Sequence, residues 1–149
     1  MGYRSEVAYV INFEDKQKLN EFIAKVMVLG GDVANALKEC EIEVVEGAFH
    51  TYRINFYAMD IKWYESYPEI KAHDQLLDYA GEWFPDGGVG WKFIRIGEEM
   101  GDVDDRDGGD DDFIPYDDFY PTQGMEIPFS SSYEPVGDNL GILDDGIKV

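Results

Sequence analysis

Apolar residues in the first 97 positions recur with two different periods, and the order in which those periods alternate limits the folds open to the chain. Between Ser5 and Phe13, Val7, Tyr9, Ile11 and Phe13 fall at period two with Ala8 and Val10 between them, which predicts a strand buried on both faces. Asp15 then stands as a helix N-cap, and Leu19, Phe22, Ile23, Val26 and Met27 follow the i, i+3, i+4 rhythm of a helix that Gly30-Gly31 ends. A short helical stretch capped by Asp32 follows, with Val33, Ala36 and Leu37.

The next elements are a strand from Glu41 to Val45, a turn at Glu46-Gly47 and a strand from Phe49 to Ala58. The second strand alternates His50, Tyr52, Ile54, Phe56 and Ala58 on one face with Thr51, Arg53, Asn55 and Tyr57 on the other, the mark of a half-buried hairpin strand. Pro68 opens a helix whose apolar stripe is Ile70, His73, Leu77, Ala80 and Phe84. Pro85-Asp86-Gly87-Gly88 breaks it, and Val89 to Ile96 is the last strand. The order β-α-β-β-α-β, with two crossovers of helical length, predicts an α+β fold of ferredoxin-like split βαβ type: a four-stranded antiparallel sheet with helices on one face and the other face open.

Near Gly97 the periodicity stops. Residues 98–149 are rich in Asp, Gly, Pro and Ser and hold 16 acidic but only 2 basic side chains, Arg106 and Lys148, whereas residues 1–97 hold 16 and 10. The expected organisation is therefore a core domain over 1–97 and an acidic, partly irregular tail over 98–149.

Charge excludes several functions. With 32 acidic against 12 basic side chains and a net charge of -20, a phosphate backbone or an anionic membrane would repel the chain. Cations, or proteins with basic, often nucleic-acid-binding, surfaces are the expected partners. No segment approaches the length of a membrane span, and no apolar stretch behind the first residues predicts a secretory signal. The single cysteine, Cys40, predicts a reducing compartment and no internal disulfide.

Catalytic chemistry finds little support in the residues. His50 and His73, the only histidines, fall on apolar faces and outside any hydrolase, metalloprotease or kinase signature. Cys40 lies between Glu39 and Glu41, whose charges oppose thiolate formation. Gly87-Gly88-Val89-Gly90 lacks the lysine and following helix of a phosphate loop. From Asp102 the EF-hand spacing fails at Arg106, and no glutamate closes the loop. The expectation is a non-enzyme with no catalytic residue, metal or cofactor. A small enzyme using Arg53, Asn55 and Tyr57 on the open sheet face is a third possibility.

What remains is the acidic run. Duplex DNA carries one phosphate per about 3.4 Å of each strand, and an extended chain advances about 3.3 Å per residue. Asp102, Asp104, Asp105, Asp107, Asp110, Asp111, Asp112, Asp117 and Asp118 would thus supply charge, while Phe113, Ile114, Tyr116 and Phe119 would anchor in apolar pockets of the partner. Trp63, Tyr64 and Tyr67 are expected to cover the sheet edge, or to anchor a partner.

Two resemblances add to this reading. Asp110-Asp111-Asp112-Phe113-Ile114-Pro115-Tyr116 and Glu126-Ile127-Pro128-Phe129 resemble the acidic Asp-Asp-Asp-Ile-Pro-Phe tip that ends bacterial single-stranded DNA-binding proteins. In that family the tip docks on basic pockets of repair and replication enzymes, so the resemblance implies a pocket of that kind. The copies here are internal, without the terminal carboxylate of the family's Phe, and Phe113 is an insertion. The N-terminal hundred residues resemble small bacteriophage proteins, through Met1-Gly2-Tyr3-Arg4-Ser5-Glu6-Val7-Ala8, Lys62-Trp63-Tyr64 with Tyr67-Pro68 and His73, and Phe93-Ile94-Arg95-Ile96-Gly97-Glu98. That resemblance implies a phage source and action in a host bacterial cytoplasm. The sequence thus predicts a monomeric or homodimeric phage-type protein that inhibits a basic, DNA-binding host protein by mimicking DNA charge. The alternative is a virion-associated structural or assembly protein whose acidic tail serves solubility.

Overall fold

The computed structural model describes residues 2–45, 51–115 and 134–135. In chain order the elements are β1 (Ser5–Phe13), α1 (Lys16–Leu29), α2 (Gly31–Lys38), β2 (Glu41–Val45), β3 (Thr51–Ile61), α3 (Pro68–Glu82), β4 (Val89–Gly97), β5 (Val103–Gly109), a 3-10 turn (Asp111–Phe113) and β6 (Glu134–Pro135). The fold is α+β. Its antiparallel sheet runs β5-β4-β1-β3-β2-β6.

Local chemistry sets the helix ends. Asp15 caps α1 by accepting from the backbone N–H of Lys18 at 2.8 Å. Gly30, at φ +66°, ends α1 and also starts α2, so Asp32 lies in the first turn of α2 and not at its cap. Two helices turn on one another within a single residue there, and only a glycine enters that backbone region without strain. Pro68 opens α3, its missing N–H falling where no helical partner exists.

The three helices share one face of the sheet. Val7, Tyr9, Ile11 and Phe13 of β1, with Ile54, Phe56 and Phe93, pack against Phe22, Ile23 and Val26 of α1, Leu37 of α2 and Ile70, Leu76 and Leu77 of α3. Each large side chain fully buried this way contributes about 1.5–3 kcal/mol. The opposite face was expected to be open. It holds a second apolar cluster instead, Ala8, Val10, Ile94 and Ile96, with exposures of only 0–6%.

The sheet also continues past Gly97, so the boundary expected there falls inside it. Glu98 to Asp102 turn the chain, with Gly97 N–H donating to the Asp102 carbonyl at 2.8 Å and Gly101 at φ +86°. β5 then pairs with β4 from Ile96–Val103 to Gly90–Gly109. Its sequence, VDDRDGG, has almost no strand propensity, and the pairing is held by contacts to β4. His50, Phe49 and the turn at Glu46-Gly47 lie outside the described residues. No helix among the described residues is long and apolar enough to cross a membrane.

Candidate partner-binding surface

The acidic run divides into carboxylates engaged within the molecule and carboxylates that face outward. β-strand alternation makes the first cut. Opposite Arg95 and Phe93, Asp104 and Arg106 stand on the helix side, whereas Asp105 and Asp107, opposite Ile94 and Lys92, stand on the other. Consecutive aspartates therefore do not form one row of charge.

Asp102 is the most engaged. Arg95 donates to it from Nη2 at 2.7 Å and from Nη1 at 3.2 Å, and the Tyr3 hydroxyl donates as well. The Arg95 guanidinium first, and the Tyr3 hydroxyl second, lower its pKa to about 2. The same hydrogen bond raises that of Tyr3. Asp105 accepts from the buried Lys92 ammonium at 2.6 Å. Asp104 lies 3.6 Å from Arg106 Nε, an ion pair too long to be a hydrogen bond, so that Nε is left buried without one. Asp110 caps the 3-10 turn, accepting from the N–H groups of Gly88 at 2.7 Å and Asp112 at 3.1 Å, and these backbone donors lower its pKa.

The remaining acids differ. Asp107, Asp111 and Asp112 are exposed, and no side-chain partner holds any of them among the described residues. Phe113 is half-buried, its carbonyl accepting from Asn12 Nδ2 at 2.9 Å, and Ile114 is buried at 7% exposure. Neither is presented as a free anchor. Tyr116, Asp117, Asp118 and Phe119 lie outside the described residues.

Arg106 is the residue whose role the sequence concealed. Its guanidinium lies 4.2 Å from the Phe93 ring centre and donates to Asp74 of α3 at 3.1 Å, tying β5 to the helical layer. An isolated arginine among aspartates gives no sequence signal of that contact.

Comparison of the chain with known family models, curated proteins and solved structures yields no match. The residues themselves carry the functional argument.

The titratable core is a hydrogen-bonded chain under the helices. His73 is 2% exposed, with Nδ1 at 2.6 Å from the Tyr9 hydroxyl and Nε2 at 3.4 Å from Glu39. The Tyr9 hydroxyl also lies 3.4 Å from Cys40 Sγ. Burial, more than the neighbouring Glu39 and Glu41, pushes the Cys40 thiol up to about 12, and it raises Tyr9 well above its ordinary range. Phe56 and Trp63 flank the imidazole at 4.3 and 5.3 Å between ring centres. Tyr9 and Cys40 are both 0% exposed, whereas the Glu39 side chain at the other end of the chain of groups is 54% exposed. Of the aromatics before α3, Trp63 belongs to the core, Tyr64 accepts at its hydroxyl from the Tyr3 N–H at 2.8 Å, and Tyr67 is 37% exposed.

On the helix-free face Arg53 Nε donates to Asn12 Oδ1 at 2.7 Å, and Asn55 Nδ2 donates to Glu43 Oε1 at 3.3 Å. Tyr57 donates to Glu6. Arg53, Asn55 and Tyr57 are thus each joined to a different neighbour. Among the described residues, no group of three or more His, Cys, Asp or Glu side chains is arranged to hold a metal ion.

Proposed function

We propose that the chain is an acidic, phage-type binding protein that engages and inhibits a host bacterial protein through that protein's basic, nucleic-acid-binding surface. The observation that carries this reading is the exposed set Asp107, Asp111 and Asp112 at the end of an edge strand, without side-chain partners among the described residues. Carboxylates already paired to Arg95, Lys92 or backbone N–H groups contribute a field that is partly cancelled. The three outward acids face water, where a basic groove is attracted to them.

The mimicry is one of field and not of spacing. Alternate residues of a strand share a face at about 6.7 Å, so β5 offers half the linear charge density of a DNA strand per face. Net charge supplies the rest. At -20 the whole molecule attracts cationic surfaces over about one Debye length, ~10 Å at 0.1 M salt.

For the scaffold we propose a ferredoxin-like split βαβ arrangement, extended by α2, β5 and β6. The inner strand order β4-β1-β3-β2 and the location of all three helices on one face support it.

The test is affinity capture from a bacterial lysate with the full-length chain and with a variant carrying Asp107→Asn, Asp111→Asn and Asp112→Asn. The expected result is capture at low salt, release by high salt or by duplex DNA, and loss of capture with the variant. Capture that survives both salt and the three substitutions would overturn the reading.

A further inference from the structure

β5 is the outermost strand of the sheet, and among the described residues no strand pairs with its far side. A strand edge of this kind presents a row of backbone N–H and C=O groups, a template for another extended chain.

Which groups face outward follows from the β4–β5 ladder. The Gly97 N–H donates to the Asp102 carbonyl, and the Asp110 N–H to the Val89 carbonyl, each at 2.8 Å. In an antiparallel pair, opposed residues that bond to each other alternate with opposed residues that do not. In the register of these strands, the backbone groups of Asp104, Arg106 and Gly108 therefore turn inward to Arg95, Phe93 and Trp91. Those of Val103, Asp105 and Asp107 turn outward. Two of these three residues are exposed aspartates, Asp105 and Asp107, with side chains on one face of the strand. Open backbone and carboxylate thus coincide at the same positions.

That coincidence selects the occupant. A second copy pairing along this edge would bring Asp105 and Asp107 against the same aspartates, and like charges directly opposite each other destabilise a strand pair. Each copy also carries a net charge of -20. The opposite holds for a cationic strand, whose alternate side chains would meet both carboxylates. On the other face of β5, Arg106 is already committed to Asp74 at 3.1 Å, so the intervening positions call for neutral residues.

We propose that the outer edge of β5 takes an extended, basic protein segment as an additional antiparallel strand, with lysine or arginine at alternate positions opposite Asp105 and Asp107. This rests on the reading above for the charge of the partner and adds how it is held: main-chain hydrogen bonds align the segment, and the two carboxylates select a cation at every second residue.

The test titrates the full-length chain with the synthetic peptide Thr-Lys-Thr-Lys-Thr-Lys-Thr in two forms of equal charge. One is N-methylated at the lysines, whose N–H groups would face β5, and the other at the threonines, whose N–H groups would face water. The expected result is that the threonine-methylated form slows hydrogen exchange at the Val103, Asp105 and Asp107 amides. The lysine-methylated form should bind about tenfold more weakly or worse, since each lost hydrogen bond is worth about 0.5–1.5 kcal/mol. Equal binding of the two forms, binding of neither, or protection of those amides by self-association without peptide would overturn the edge. Equal binding would leave the attraction to basic partners standing. Loss of lysate capture with the preference between peptides intact would instead sink that attraction as the function and leave the edge.

Discussion

Arg95 and Asp102 face each other across the β4–β5 turn in a two-pronged contact, Nη2 to Oδ1 at 2.7 Å and Nη1 to Oδ2 at 3.2 Å. The same Nη1 reaches Ser5 Oγ at 3.2 Å, so one guanidinium joins β1, β4 and the start of β5. The first acid of a run that looks like free charge is therefore a structural fastening. Because burial, pairing and exposure are distributed unevenly along the run, individual substitutions there have different expected outcomes.

Acid sensitivity follows from Asp102. Its folded pKa is lowered to about 2, against about 3.9 for an unperturbed aspartate. The unfolded state therefore binds the proton first, so the stabilisation is present above pH ~4 and is lost as pH falls towards ~2. Asp110, lowered by the Gly88 and Asp112 N–H groups, acts in the same sense. Asp102→Asn is expected to flatten the pH dependence of the urea midpoint between those limits. A midpoint that falls equally steeply in the variant would refute the assignment.

Arg106 bridges layers, and its loss should be felt by the whole fold. Arg106→Ala removes the contact with Phe93 and the bond to Asp74. With a side-chain exposure of 38%, solvent screening limits the expected loss to about 1 kcal/mol in denaturant titration. Arg106→Lys should recover only part of it, because an ammonium lacks the planar group that stacks on the ring.

Gly90 is occupied from above by the 3-10 turn. Gly90→Ala would force its Cβ within 2.6–2.7 Å of backbone atoms of residues 110–114, contacts that no rotamer change relieves. The expected outcome is a loss of about 1–3 kcal/mol and faster hydrogen exchange at Phe113. Gly101→Ala, with nothing within 4 Å of its added Cβ, bears the strain of a positive φ without a clash and should cost about 1–2 kcal/mol.

The core hydrogen-bond chain sets two further expectations. Tyr9→Phe removes a hydroxyl that meets both His73 Nδ1 and Cys40 Sγ, and a buried group left without its partner costs about 1–3 kcal/mol. The Cys40 thiol, pushed up to about 12 by burial, should resist iodoacetamide at neutral pH in the folded protein and react once denaturant unfolds it. Mass spectrometry reads both states; rapid alkylation of the folded chain would contradict the burial.

What the residues disclose without coordinates is whatever depends on near neighbours. The period-two run in Ser5–Phe13, the cap at Asp15 and the helix opening at Pro68 are effects within a few positions, and each stands where the pattern places it. His73 was readable as a packed histidine from its place on an apolar stripe, though not as a partner of Tyr9, which lies 64 positions away. β5 escaped notice because strand propensity and apolar alternation are both missing from VDDRDGG. It forms because Lys92 and Arg95 on the preceding strand offer cations to Asp105 and Asp102.

Sequence by itself determined the α+β composition, the starts of α1 and α3 and the total charge, since all three are sums over residues or over single turns. Tertiary structure alone decided which carboxylates are engaged within the described fold and which face outward. Asp102 meets Tyr3 across 99 positions and Asp110 meets Gly88 across 22, and a carboxylate is neutralised by whatever cation or N–H group the sheet brings beside it. Electrostatic energy depends on distance in space, and adjacency along the chain reports that distance only within a turn or a hairpin.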